Sequence, residues 1–144
     1  MRAVVTRVSS ASVTIGGAVE GAIERGFLVL LGVGPGDTEA VCDKLAEKIC
    51  NLRVFDDGNG KMNLSLEQAG GALLVVSQFT LYADTSSRRP GFTGAAKPEV
   101  AVPLYERFLY RCRQRGFRVE HGRFGAEMQV SSVNDGPVTI LFEI

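Results

Sequence analysis

Apolar and polar side chains alternate in MRAVVTRV (1–8) and again in ASVTI (11–15). A period of two marks a strand with one face covered, so two half-buried strands are expected. Gly16 and Gly17 form a turn, and Val19 to Ile23 returns as the second arm of a hairpin. Residues 27–33 are almost unbroken apolar sequence, as in a strand covered on both faces. The period then lengthens. From about Asp37 to Leu52, the residues Val41, Leu45, Ile49 and Leu52 fall on one helical stripe, with Asp37 or Thr38 as N-cap. D-D-G-N-G (56–60) is a turn cluster, and residues 72–82 read as one strand running through S-Q-F-T-L-Y. Residues 83–98, rich in Ser, Arg, Gly, Thr and Pro, form a long ordered loop of the kind that often carries function. A second helix covers about 99–115, with Leu104, Phe108 and Cys112 on its apolar stripe and Arg107, Arg111 and Arg115 on another. Pro103 sits in its first turn or delays its start, and Gly116 ends it. Short strands at about 117–120, 127–133 and 138–143 close the chain, with N-D-G-P as the tight turn between the last two. The pattern suits a single mixed α/β domain over residues 1–144, with seven to eight strands and two main helices.

Composition narrows the classes. At 144 residues, 45% hydrophobic and 22% charged, the chain can build a core. No apolar run reaches the length of a membrane span, and MRAVVTRVSS lacks the layout of a secretory signal, so a cytoplasmic protein without a membrane partner is expected. Sixteen basic and sixteen acidic residues balance, which excludes a basic footprint over the whole surface. The balance is local nowhere near as even. Residues 88–123 hold Arg88, Arg89, Lys97, Arg107, Arg111, Arg113, Arg115, Arg118 and Arg123 against Glu99, Glu106 and Glu120. A solvated helix face is the simpler reading of that excess, and a phosphate-binding surface is the alternative.

Cys42, Cys50 and Cys112 are odd in number and lack C-x-x-C spacing, which argues against a disulfide framework or a zinc site. Cys42 and Cys50 lie roughly 12 Å apart along one helix, too far to bond, and read as core or flank thiols. His121 is the only histidine, so no multi-histidine metal site can form; its E-H-G-R setting reads as an exposed turn. No metal or cofactor is expected.

Three motifs invite chemical readings. G-V-G-P-G-D (32–37) lies where a dinucleotide fingerprint would, but Asp37 occupies the third glycine position and Pro35 removes an amide from any phosphate cradle. A structural turn is expected. S-Q-F-T (77–80) places two hydroxyls at the end of a buried strand, without a nucleophile elbow or a local base. Its bland reading is a strand end. Its chemical reading directs the Gln78 and Phe79 amides at a ligand oxygen, with Thr80 positioning it. N-D-G-P-V-T (134–139) reads blandly as a turn.

Together these segments carry a resemblance. V-S-Q-F-T-L-Y-A-D (76–84), R-P-G-F-T-G-A-A (89–96), G-R-F-G-A-E-M-Q-V (122–130) and N-D-G-P-V-T-I (134–140) resemble the D-aminoacyl-tRNA deacylases, as does N-L-R-V-F-x-D-x-x-G-K-M-N-L-S. The similarity runs over essentially the whole chain. One departure is Gly91, where the family pattern has serine. The resemblance implies a β/β/α layered homodimer with active sites at the subunit interface, hydrolysing the ester between a D-amino acid and the 3′-terminal adenosine of tRNA. It implies that Thr80, Gln78 and Phe79 form the catalytic set, with Ser77, Phe92 and Met128 lining the substrate pocket. Gly136 and Pro137, joined in cis, would enter the partner's pocket as a gate that excludes L configuration. Selection by exclusion predicts tolerance of many D side chains and leakage toward glycine, as on glycyl-tRNA(Ala). Oxyanion stabilisation and orientation suffice for so activated an ester, with the ribose 2′-hydroxyl helping to activate water; Thr80 as nucleophile is the alternative. Arg107 and Arg111 would contact acceptor-stem phosphates. Two other functions compete: a non-catalytic aminoacyl-tRNA or RNA-binding module on the same fold, and a nucleotide binder using the glycine turn at 32–36.

Overall fold

The computed structural model describes residues 1–144. Its backbone is β1 (Arg2–Ile15), β2 (Ala18–Ile23), β3 (Gly26–Gly32), α1 (Glu39–Cys50), β4 (Arg53–Asp56), β5 (Met62–Ser65), α2 (Leu66–Ala69), β6 (Ala72–Ser77), a 3₁₀ turn (Phe79–Tyr82), α3 (Pro98–Gln114), β7 (Val119–His121) and β8 (Gln129–Glu143). Six strands form one mixed sheet, in which β1 joins β2, β3 and β8, and β3 continues through parallel β6 to parallel β7. β4 and β5 make a separate hairpin around Asp57, whose carboxylate accepts from the amides of Asn59 and Lys61.

The two N-terminal strands read from the alternation are one strand of 14 residues, pairing with β3 through Arg2–Val8 and with β2 through Ala11–Ile15. Burial parity explains the two readings: Ala3 and Val5 are buried on one parity, Val8, Ala11 and Val13 follow, and the exposed Ser9–Ser10 step lies between. The sheet bends there, with irregular β1–β8 register on both sides of Val8.

N-D-G-P is not a turn. β8 runs unbroken through it, and Thr6 pairs with Thr139 while Val8 pairs with Asn134. A step of two residues along β1 is thus matched by a step of five along β8, and Asp135–Val138 bulges from the ladder. Strand 72–82 is also shorter than expected: β6 stops at Ser77 and S-Q-F-T-L-Y continues as the 3₁₀ turn. β4, β5 and α2 have no counterpart in the apolar pattern, being only four residues each.

α1 is capped by the Thr38 hydroxyl, which accepts from Val41 N at 3.3 Å, while Asp37 turns the other way. α3 begins at Pro98, so Pro103 lies inside the helix on its exposed side. The larger core packs both helices onto β1, β3 and β6 through Phe27, Phe55, Leu45, Ile49, Leu104 and Phe108. A smaller one, including Val8, Val13, Ile23, Leu74 and Val76, fills the other side of the sheet. All three cysteines are buried, and the Cys50 and Cys112 sulfurs meet at 3.8 Å between α1 and α3, unbonded. Burial pushes the Cys42 thiol up to about 12, and contact with Cys50 followed by burial pushes Cys112 higher still. No helix is long and apolar enough to cross a membrane.

Candidate active site

The parallel pair β3–β6 sets up the site. Its last rung is Gln78 N–H donating to Leu31 O at 2.8 Å, after which the chain leaves the sheet. The N–H groups of Phe79 and Thr80, first in the 3₁₀ turn, find no backbone acceptor. Gln78 is therefore not one of the free amides expected from S-Q-F-T; the free pair lies one residue further on.

A cavity of about 380 Å³ opens at this strand end. Leu31, Val33 and Val76 form its floor, Tyr105 of α3 one wall, and Phe124 and Met128 of the β7–β8 connection another. Ser77, Gln78 and Phe79 line it as expected, and so does Met128. Thr80 is half-buried beside them, and its hydroxyl accepts a hydrogen bond from Gln78 Nε2. Phe92 is not part of the lining but packs edge-on against Phe79, with ring centroids 5.2 Å apart. That contact holds the 83–97 segment at the mouth, with Ala96 N donating to Val33 O at 2.9 Å. Gly91 exchanges two backbone hydrogen bonds with Asp84, and a Cβ there would meet nothing closer than 4.0 Å, so the departure from serine is sterically free.

Gly136 and Pro137 do not enter this chain's cavity. They are exposed on the β8 bulge, joined by a cis peptide bond. A Cβ on Gly136 would lie 2.5 Å from Val138 N, so only glycine fits.

Four residues near these segments escaped the sequence reading. Tyr105 lies one position off the α3 stripe; its hydroxyl donates to Val75 O at 2.9 Å, and burial raises its pKa above the usual phenol range. Phe124 and Glu127 come from a connection without periodicity, and Glu127 is the only carboxylate on the cavity lining. Arg7 did leave a signal, a charged side chain on the buried parity of Ala3 and Val5. It is 7% exposed; Nε donates to Asp135 O at 2.8 Å and Nη1 to Val54 O, tying β1 to β4 and to the β8 bulge.

Two earlier readings change, those of His121 and of the α3 arginines, and the structural reading of the glycine turn holds. His121 is half-buried on β7, its Nδ1 against Gly122 O at 2.6 Å, and does not line the cavity. In the glycine turn, Asp37 accepts from Gly34 N at 2.6 Å and from the Met1 ammonium at 2.8 Å, so a carboxylate fills the place an anion would need. Arg107 makes a two-pronged pair with Asp43, both contacts at 2.8 Å, and Arg111 approaches the same carboxylate at 3.6 Å. These arginines join α3 to α1. No group of three His, Cys, Asp or Glu side chains is placed to hold a metal ion.

A small, mainly apolar cavity at the strand end where two backbone amides lack a backbone partner suits the hydrolysis of an already activated ester, and comparison with known proteins identifies the class. The family model described as D-Tyr-tRNA(Tyr) deacylase matches residues 4–143, so the chain is a hydrolase acting on the ester bond of aminoacyl-tRNA. D-aminoacyl-tRNA deacylases of Symbiobacterium thermophilum and Thermus aquaticus are 60% and 58% identical to it, each over 99% of this chain and 95% of the relative. The chain belongs to the D-aminoacyl-tRNA deacylase family. Among solved structures, a c-Myc DNA unwinding element binding protein is 44% identical with a TM-score of 0.94, covering 100% of this chain and 99% of that one. A structure described as a probable eukaryotic D-amino acid tRNA deacylase shares the fold at 18% identity, with a TM-score of 0.86 over 99% of this chain and 98% of its own.

Proposed function

We propose that the chain proofreads chirality: it cleaves D-aminoacyl-tRNA and glycyl-tRNA mischarged on tRNA(Ala), and spares L-aminoacyl-tRNA, in the cytoplasm and as a homodimer. The observation carrying the chemistry is the pair of N–H groups without a backbone partner on Phe79, which lines the cavity, and on Thr80 beside it. When water attacks the ester carbonyl, the oxygen takes up negative charge, and two fixed amides stabilise it more than they stabilise the neutral carbonyl. The intermediate collapses by expelling the ribose 3′-oxygen, which takes a proton and leaves as tRNA.

The 2′-hydroxyl of the same ribose assists the attacking water. Thr80 is ill placed to act as nucleophile, because its hydroxyl is held by Gln78 Nε2, an amide that cannot take up a proton. Gln78 and Thr80 instead position the turn, while Ser77, Met128 and the Phe79–Phe92 pair bound the aminoacyl site.

Selection falls to Gly136–Pro137 of a second copy, whose carbonyl oxygens accept from the substrate ammonium and leave no room for an L side chain. Two features support a second copy. The gate segment is exposed and does not line its own cavity, and β8 has only β1 as a partner along its 15 residues, with Val130, Val133 and Leu141 exposed.

Deacylation of D-Tyr-tRNA compared with L-Tyr-tRNA tests the reading. D-selective release is expected, and binding without release would favour the non-catalytic alternative. Thr80→Ala in a correctly folded protein should keep measurable activity while a 2′-deoxy-terminated substrate loses it; the reverse pattern would make Thr80 the nucleophile.

A further inference from the structure

Nine basic residues lie between 88 and 123, and the fold uses them unequally. Arg107 and Arg111 face Asp43, Arg115 faces Glu47, Arg118 faces Glu120, Arg123 faces Glu20, and Arg113 donates to Val119 O. Arg88, Arg89 and Lys97 are different: all three are exposed, and although the Arg89 and Lys97 carbonyls accept hydrogen bonds, none of the three cationic side chains makes a hydrogen bond or an ion pair. They share one segment. From Thr85 to Lys97 it holds no acidic residue, and Asp84, at its base, is occupied by the Ser86 amide at 2.9 Å.

The same segment carries Phe92, 38% exposed, stacked edge-on against Phe79, which is 55% exposed. An exposed aromatic pair beside unpaired cations is the chemistry that holds single-stranded nucleic acid, bases stacking on rings while phosphates meet guanidinium groups. The pairing is anchored at the cavity, through Ala96 in its lining and the isolated Asp84–Gly91 bridge that closes the loop between them.

We infer that the 85–97 segment, and not the arginine face of α3, receives the single-stranded 3′ end of tRNA, with Arg88, Arg89 and Lys97 against its terminal phosphates and Phe92 against a base. The inference rests on the proposed aminoacyl-tRNA substrate and deepens it. It assigns the phosphate contacts to residues separate from those that handle the ester, with Phe92 at the border between the two. A basic segment beside the site then raises affinity for the polynucleotide without touching the reacting atoms, so its effect belongs in KM.

The test uses the full-length protein with two substrates sharing one ester: D-aminoacyl-tRNA and D-aminoacyl-adenosine, which has no phosphate to contact. Arg88→Glu combined with Arg89→Glu should raise KM for the tRNA substrate at least about tenfold at moderate salt, with kcat unchanged. Turnover of the adenosine ester should stay at the wild-type value, which also reports correct folding. Binding of uncharged tRNA, titrated against salt, should lose about 1.4 from the magnitude of its log–log slope, the value for two single-strand phosphates. Equal loss on both substrates would place the arginines in the ester site and overturn the inference, as would unchanged KM and slope. A single-stranded DNA of the same terminal sequence that binds the wild type better than tRNA does would overturn it too. If the wild type cleaved neither D ester, the proposed function would fall, while the salt slope of tRNA binding would still decide the surface.

Discussion

Replacing Arg7 by Met keeps the length of the aliphatic stem and removes the guanidinium, so it isolates the polar role of this side chain. In the native protein the group is 7% exposed, donates to the carbonyls of Asp135 and Val54, and has the Asp56 and Asp135 carboxylates at 3.5 and 3.6 Å. A hydrogen bond from a charged donor contributes about 1.5–3 kcal/mol, and a carbonyl left buried without a partner loses the same order again. The carboxylates are about half exposed and add little beyond this. Two such bonds put the loss at about 3–6 kcal/mol, or roughly 10–20 °C in Tm for a chain of this size. Urea unfolding at pH 7 with a two-state fit measures it directly. Deacylation, measured on folded protein, should fall as well, because Asp135 adjoins Gly136 and Pro137 on the bulge that Arg7 secures. Arg7→Lys restores charge but cannot reach two carbonyls from one fork, so it should recover part of the stability. An Arg7→Met protein within about 1 kcal/mol of wild type would refute the reasoning, since the bonds would then be replaceable by water.

The Arg107 guanidinium beside Asp43 holds this carboxyl below the usual aspartate range. A depressed folded-state pKa contributes stability that is present above the ordinary value of 3.8 and lost as pH falls through the lowered one. Acid titration of stability should therefore be shallower in Asp43→Asn than in wild type below that value, and identical limbs would contradict the pairing. None of the three buried cysteines should react with a thiol reagent in the native protein, and all three should react in denaturant. A Cβ on Gly122 would meet Met128 Sδ at 2.3 Å, so Gly122→Ala should push that side chain into the cavity and raise KM with little change in the urea midpoint. Unchanged KM would mean that Met128 moves outward instead. Gly91→Ser should leave stability within about 0.5 kcal/mol, as a surface change in open space.

Much of the frame was legible in the chain. Helix stripes, the two-sided apolar run of β3 and the S-Q-F-T strand end all depend on local periodicity, which the residues carry themselves. The strand count of eight agrees with the alternation only because two errors cancel: β1 and β8 were each read as two strands, while β4 and β5 went unread. Bends and bulges mimic turns when only the local residues are considered. The N-D-G-P segment has the composition of a turn, yet pairing with β1 on both sides holds it inside one strand.

The site divides in the same way. Ser77, Gln78, Phe79 and Met128 share the cavity expected of them, since the strand end and the connection before β8 carry specific residue patterns. Which amides are free could not be read from residue types, because Gln78 N–H is consumed by Leu31 O on a neighbouring strand. The use of the arginines was equally hidden: Asp43 and Glu47 lie more than sixty positions away from their partners on α3 and meet them only when α1 packs against it. Sequence alone determined the two long helices, the buried strands and which chemistry each segment can offer, because propensity and period act over a few residues. Tertiary structure decided which donors, charges and carbonyls remain unspent, because a hydrogen-bonding group is satisfied by whichever neighbour folding brings to it, however distant along the chain.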